Sequence, residues 1–171
     1  MTFSASYDRA TKIISALVCL FLVAVIADTR SLVFSSVALL LILVSYAYSP
    51  RGYLLTDRSI LVQRLAGQPR IALDDVREAR RATPDDFRRS IRLRGSGGLF
   101  GYYGLFRSAK LGKFKAYVTN KNNRVVVITG SKTAVFSPDD VDGFLNAIRA
   151  SAPVPVSYPA PAPAFDAPRP T

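Results

Sequence analysis

Few residues of this chain have side chains suited to catalysis or metal binding. The sequence contains no histidine and one cysteine in 171 residues, which excludes a Cys/His zinc site, a disulfide framework and a histidine base. Two pairs of adjacent aspartates, Asp74-Asp75 and Asp85-Asp86, have the chemistry of acid–base groups or metal ligands. Adjacent strand residues point to opposite faces, so we expect each pair to form a turn or a cap. We predict a non-enzymatic protein with no catalytic residue, no metal site and no cofactor.

Half of the ten glycines fall within residues 95–104, a density that suggests a phosphate-binding loop. A dinucleotide fingerprint requires G-x-G-x-x-G at the start of a helix, because the pyrophosphate rests on the first helical amides. Here Gly95 and Gly97 are followed by Gly101 and then by two tyrosines, which is a poor helix start. We therefore expect these glycines to permit bulges and sharp bends in a curved sheet.

Basic and aromatic residues are clustered in the same region. Each basic side chain near an anionic membrane surface gains about 1 kcal/mol, and tyrosine favours the membrane interface. We predict that this cluster contacts anionic lipid or a partner protein; the alternative is a solvated loop that only keeps the domain soluble. Its members are Tyr102, Tyr103, Arg107, Lys110, Lys113 and Lys115.

The net charge of +11 indicates a negatively charged partner. A second basic region lies between Arg77 and Arg94 and would interact with an anionic leaflet if it were held nearby. No recognised nucleic-acid-binding module is present, so we expect anionic lipid, a partner protein or a second copy of the chain, and no nucleic acid. The alternatives are an enzyme subunit or a nucleic-acid-binding membrane protein that uses the basic loop 95–115.

Two long apolar segments precede all of these residues. Residues 13–27 include a single polar side chain, Ser15, and residues 32–47 include three serines. At about 1.5 Å per residue each segment covers roughly 22–24 Å of a hydrocarbon core of about 30 Å, and flanking residues extend both. We predict that residues 1–50 form a two-helix transmembrane hairpin; the alternative is a helical hairpin buried in a soluble core.

The basic residues around these segments predict an orientation. Arg9 and Lys12 precede the first segment, Arg51 and further arginines follow the second, and the connecting loop holds only Arg30. Basic flanks remain on the cytoplasmic side. We therefore predict a multi-pass protein of the cell membrane with both termini in the cytoplasm.

Residues 51–150 are composed mostly of short apolar runs that end at turn residues, which predicts a mainly β domain. Residues 90–94 alternate between apolar and basic types. This alternation predicts that Ile91 and Leu93 share one face of a strand and that the arginines lie on the other. Residues 74–82 fit either a strand or a helix that begins with a capping box.

The end of the domain has the pattern of an amphipathic helix. Ser137 and Pro138 predict its N-cap and first position. One apolar face follows at helical spacing, formed by Val141, Phe144, Leu145 and Ile148. Residues 151–171 contain seven of the eleven prolines, which predicts a disordered Pro/Ala-rich tail.

Several of these segments resemble the bacterial pleckstrin-homology (PH) domain family. Residues 95–107 resemble its glycine-aromatic stretch, residues 111–120 and 135–140 extend the likeness, and residues 53–57 are similar to the first strand of membrane-anchored members. The resemblance covers residues 51–150. It implies a PH-like barrel of about seven strands closed by one C-terminal amphipathic helix, with a role in lipid binding or protein assembly and without catalysis. It also implies that residues 74–82 form a strand.

Overall fold

The computed structural model describes residues 1–28 and 31–151. The predicted tail beyond residue 151 and the predicted loop residues Thr29 and Arg30 lie outside the described residues. The helices are α1 (Arg9–Asp28), α2 (Leu32–Tyr48) and α3 (Val141–Ser151), with a short 3-10 helix at Pro84–Phe87. The strands are β1 (Thr2–Ser4), β2 (Gly52–Thr56), β3 (Ser59–Gln63), β4 (Arg70–Ala72), β5 (Val76–Arg81), β6 (Ile91–Gly98), β7 (Gly101–Ser108), β8 (Gly112–Val118), β9 (Val125–Thr129) and β10 (Thr133–Phe136).

The strands form two sheets. The first sheet has the strand order β1-β2-β3-β4, and the second has the order β5-β9-β10-β8-β7-β6. Among the described strand pairs, β10 with β8 is parallel and all the others are antiparallel. The region after residue 50 therefore has nine strands where about seven were expected. The strand β5 confirms what the PH resemblance implies for residues 74–82, for which the local pattern alone fits a helix or a strand. The strand β7 lies inside the glycine-aromatic stretch, where the sequence predicted bends and no separate strand.

The core lies between the two sheets and is closed by α3, as the sequence predicts. Phe144, Leu145 and Ile148 of α3 are fully buried together with Tyr53 of β2 and Phe136 of β10. Burial of such side chains stabilises the fold by about 1.5–3 kcal/mol each. The single apolar face of α3 therefore determines where this helix packs.

The start of α3 differs from the sequence prediction. The helix begins at Val141, and the Asp140 carboxylate caps it by accepting a hydrogen bond from the backbone N–H of Gly143 at 2.9 Å. The Ser137 hydroxyl instead accepts the backbone N–H of Thr119 at 2.9 Å, so it joins the end of β10 to the end of β8. The prediction of Ser137 as the cap and Pro138 as the first helical residue was wrong, because Ser137 is used in this tertiary contact.

The first residues of the chain form a strand that the sequence did not predict. β1 pairs antiparallel with β2, with Thr2 opposite Leu54 and Ser4 opposite Gly52. The N-terminal ammonium group donates to the carbonyl oxygen of Leu55 at 2.8 Å. Residues 1–50 are therefore more than a helical hairpin, because α1 and α2 are inserted between two neighbouring strands of one sheet.

The two apolar helices are largely uncovered by the rest of the chain. Leu20 and Phe21 of α1 are each 67% exposed, and Leu32 of α2 is 84% exposed. This exposure contradicts the alternative of a hairpin buried in a soluble core. By length and composition α1 is long and apolar enough to cross a membrane, whereas α2 is apolar but shorter, with 17 residues.

Candidate functional site

The structure divides the predicted cluster between the two faces of the second sheet. In the pairing of β7 with β8, Tyr103 lies opposite Tyr117, Leu105 opposite Lys115 and Arg107 opposite Lys113. Since side chains alternate along a strand, these residues share one face. Tyr102 lies on the other face, and Lys110 lies in the turn between β7 and β8. Four of the six predicted residues therefore share a face: Tyr103, Arg107, Lys113 and Lys115.

A cleft of about 960 Å³ lies between this face and the C-terminal end of α2. Its basic side chains are Arg64, Arg92, Arg94 and Lys115, and none of the described residues that line it is acidic. Val44, Ser45 and Tyr48 of α2 form the opposite wall. We call this feature the cationic cleft. It places four positive charges directly beside the end of an apolar helix.

Lys115 is the one basic residue of the predicted cluster that lines the cationic cleft. Arg107 and Lys113 are exposed on the same face but lie outside the cleft. Arg92 and Arg94 belong to the second basic region of the sequence, and Arg64 follows β3. The sequence predicted that Arg92 and Arg94 would interact with an anionic leaflet as a separate region, and it did not join Arg64 to either basic region. Only the register of β6 and the position of α2 bring the three arginines together.

The strand β6 departs from the predicted alternation. A bulge between Arg92 and Arg94 shifts the register, so that Arg92 lies opposite Phe106 and Arg94 lies opposite Leu105. Phe106 and Leu105 are on different faces of β7, so the two arginines are also on different faces. Arg92 reaches the cleft from the edge of the sheet. The prediction that both arginines share one face was wrong because it assumed an uninterrupted strand.

Tyr103 connects the sheet to α2 and is not a surface residue. Its ring is buried, and its hydroxyl donates to the backbone carbonyl of Ser45 at 2.6 Å. Burial raises the pKa of the Tyr103 hydroxyl, so that this group stays protonated and keeps donating. Tyr103 therefore fixes one end of the cationic cleft against the helix.

The glycine-rich stretch forms the tip of the β6–β7 hairpin, which packs against both apolar helices. The Phe100 amide donates to the Ser15 hydroxyl of α1 at 2.8 Å, and the Phe100 carbonyl accepts from the Ser49 hydroxyl at 2.6 Å. Within the hairpin Gly95 lies opposite Gly104, and both adopt positive φ values. A Cβ at Gly104 would overlap the carbonyl oxygen of Arg94. The glycines thus allow close approach in a bent hairpin, as predicted, and no helix follows them.

Aromatic residues at the end of α2 pair with arginines. The Arg51 guanidinium lies over the Tyr46 ring at 4.9 Å, and the Arg64 guanidinium lies over the Tyr48 ring at 5.0 Å. Tyrosine and arginine are typical of the boundary between hydrocarbon and water. This end of α2 therefore has the composition expected of an interfacial segment.

Lys110 participates in a buried ion-pair network. Its ammonium group lies 3.2 Å from a carboxylate oxygen of Asp86, which is fully buried and also accepts two hydrogen bonds from the Arg80 guanidinium at 2.6 and 2.8 Å. Burial by itself raises the pKa of Asp86, but the hydrogen bonds from Arg80 and Thr83 outweigh it and hold this pKa well below its usual range. The hydrogen bond to Asp86 in turn raises the pKa of Arg80.

The two pairs of adjacent aspartates lie where the sequence predicts them. Asp85 and Asp86 belong to the 3-10 helix, and Asp74 and Asp75 belong to a turn.

The described residues contain no group of three or more His, Cys, Asp or Glu side chains that could hold a metal ion. Residues 51–152 match the family model described as the bacterial PH domain. No curated protein and no solved structure matches the chain.

Proposed function

This chain belongs to the bacterial PH domain family, and we propose that it is a non-enzymatic, membrane-anchored module that binds anionic lipid at the cytoplasmic face of the cell membrane. In this proposal α1 and α2 both cross the membrane, with the loop between them outside and both termini in the cytoplasm. The exposed apolar surface of both helices supports the anchor, since an uncovered surface of this kind requires a nonpolar surrounding.

The cationic cleft is the observation that carries the lipid-binding proposal. A bilayer around α2 would place lipid head groups at the level of Tyr46 and Tyr48, beside this cleft. The four basic side chains there would attract a phosphate group, and the exposed leucines and valines of α2 would contact its acyl chains. A single anionic phospholipid could then contact helix and sheet together.

Selectivity for anionic lipid can be measured on the full chain in bilayers. Spin-labelled phosphatidylglycerol and spin-labelled phosphatidylcholine report, by electron paramagnetic resonance, the ratio of their association constants with the protein. The double variant R94Q/K115Q removes two charges from the cleft, and R58Q/K132Q removes two exposed charges elsewhere as the matched control.

We expect the cleft variant to lose about 2 kcal/mol of preference, because each basic residue near the surface contributes about 1 kcal/mol. This loss corresponds to roughly a thirtyfold fall in the ratio at the specific site. The control should keep the ratio of the unmodified chain. Equal ratios in the two double variants would refute lipid binding in the cleft.

The proposed orientation has a separate test. In a C19S background, a cysteine introduced by T29C should react with a membrane-impermeant maleimide added outside the cell. Reaction from the cytoplasmic side alone would contradict the two-span arrangement, whatever the cleft binds.

Protein assembly is the second candidate function, and the edge strand β6 favours it. Ile91 and Leu93 on this strand are 56% and 46% exposed. An exposed edge strand with apolar side chains tends to pair with a strand of another chain. Pairing of copies through β6 would give a dimer whose formation is abolished by I91K. A monomer at all concentrations in neutral lipid nanodiscs would exclude it.

A further inference from the structure

The face of the second sheet that points away from the cationic cleft contains a second, smaller pocket. Its volume is about 480 Å³, within the range of about 300–1,000 Å³ that is typical of small-molecule sites. We call it the outer pocket. Its apolar lining comes from β7, β8 and β10 and includes Phe106, Phe114, Ala116, Val118 and Val135.

The polar groups of the outer pocket are mainly positive. Arg92, Lys121 and Arg124 line it, and no acidic residue is among its described lining residues. The buried carboxylate of Asp86, whose charge acts on Arg124, is already bound by Arg80 and Lys110. The pocket therefore combines an apolar surface with an excess of positive charge.

Arg124 is the residue that most clearly lacks an anionic partner. Its guanidinium lies over the Phe87 ring at 3.8 Å, and its buried Nε has no hydrogen-bond partner within the described part of the chain. Burial lowers the pKa of Arg124, although the charge of Asp86 acts in the opposite direction. A buried donor without a partner is costly, and an anion bound in the pocket would satisfy it.

Lys121 provides a second cation in the lining of the outer pocket. Its ammonium group lies over the Tyr102 ring at 4.2 Å, and its backbone amide donates to the Asp8 carboxylate at 3.0 Å. Tyr102 pairs with Val118 across the strands, so these contacts hold Lys121 against the sheet.

We propose that the outer pocket binds an amphiphilic anion, that is, a carboxylate or phosphate attached to an acyl or aryl body. The charged group contacts Arg124 and Lys121, and the apolar body packs on Phe106, Phe114 and Val118. The outer pocket and the cationic cleft lie on opposite faces of β7 and β8. Arg92, at the edge of the sheet, lines both, but the proposed contacts do not use it, so binding in the outer pocket does not depend on lipid binding in the cleft.

The test uses para-fluorophenylbutyrate as a probe and the full chain in neutral phosphatidylcholine nanodiscs. Fluorine NMR line broadening, corrected with empty nanodiscs, gives the dissociation constant. The amine of the same length, para-fluorophenylbutylamine, is the charge-reversed control. We expect the carboxylate to bind at least about tenfold more tightly than the amine, because a carboxylate accepts charge-assisted hydrogen bonds from Arg124 and Lys121, whereas an ammonium group is repelled by these cations and cannot accept from them.

Variants separate the charged and apolar parts of the site. K121Q and R124Q remove the cations, A116L fills the apolar space, and K132Q is a control that removes an exposed charge outside the pocket. We expect K121Q and A116L each to weaken binding about tenfold and K132Q to leave it unchanged. K121Q alters an exposed side chain, so it tests the site even if R124Q disturbs the packing on Phe87.

The source of the anion is distinguished by repeating the titration in nanodiscs that contain phosphatidylglycerol. Loss of probe binding there would identify lipid as the natural occupant, and retained binding would identify a free amphiphile; both support the proposal. Equal affinity for carboxylate and amine, or unchanged binding in both K121Q and A116L, would overturn it.

Discussion

Replacement of Asp86 by asparagine should destabilise the domain strongly, because the change breaks a buried ion pair. Besides the two hydrogen bonds from Arg80, the Asp86 carboxylate accepts the Thr83 amide at 2.7 Å and the Thr83 hydroxyl at 3.0 Å. In D86N, Arg80, which is 8% exposed, keeps the partly exposed Glu78 as its one ionic partner among the described residues. Removing one partner of a buried ion pair costs about 3–5 kcal/mol when the remaining charge is uncompensated, and because Glu78 stays paired with Arg80 we expect the lower end of this range, about 3 kcal/mol.

The matched control is D85N, which makes the same change one residue earlier at an exposed position of the same 3-10 helix. Urea unfolding of the full chain in neutral nanodiscs, followed by far-ultraviolet circular dichroism, gives both free energies of unfolding. D85N should remain within about 0.5 kcal/mol of the unmodified chain. A difference below about 1 kcal/mol between D86N and D85N would refute the role assigned to Asp86.

The same residue predicts how stability depends on pH. The pKa of Asp86 is lower in the folded chain than the value of about 4 that an unfolded chain has. Its stabilising contribution is therefore complete above about pH 4 and is lost as the pH falls toward the folded pKa. The difference in unfolding free energy between the unmodified chain and D86N should therefore shrink below pH 4. A difference that increases below pH 4 would contradict the lowered pKa of Asp86 in the folded chain.

Two further predictions use the same unfolding assay. Gly112 has a φ of 63° with open space around its Cα, so G112A should lower the free energy of unfolding by about 1–2 kcal/mol. G104A should lower it by at least about 3 kcal/mol, because the new Cβ would also overlap backbone atoms of β6. Equal losses in the two variants would contradict the close approach of Gly104 to the backbone of Arg94 and Gly95. Y53F should cost about 1–3 kcal/mol, because it leaves the buried Tyr117 carbonyl and Ser137 amide without their partner. Burial raises the pKa of Tyr53 to about 12, so the stability that its hydroxyl contributes is complete below about pH 10 and is lost as the pH rises through 12. A loss of unfolding free energy in Y53F that becomes larger as the pH rises would refute this reasoning.

The sequence predicts best those elements whose pattern is local. The apolar spacing of Val141, Phe144, Leu145 and Ile148 identifies α3 and its buried face, and the long apolar runs identify α1 and α2. By contrast, β1 has only three residues, and its partner β2 begins about 50 residues later. A strand this short has no detectable periodicity, and only the tertiary pairing reveals it.

The candidate site was predictable only in part. The alternation of side chains along a strand is sufficient to place the neighbouring tyrosines at 102 and 103 on opposite faces. The bulge at Leu93 and the position of Arg64 beside Tyr48 depend on pairing across the chain, so no local pattern indicates them. The sequence predicts a turn or a cap at Asp85 and Asp86, but the burial of Asp86 depends on Arg80 from the neighbouring strand.

The insertion of both helices between β1 and β2 has a mechanical consequence. A domain joined to its helices by one linker can rotate about that linker. Here the chain enters α1 and leaves α2 through two neighbouring strands, in which Ser4 pairs with Gly52, so two connections restrict rotation of the domain relative to the helices. The same adjacency means that a two-residue hairpin turn can span the gap when residues 5–51 are deleted. The shortened chain would retain all ten strands and have no apolar helices exposed to water, which makes the β domain accessible to solution methods.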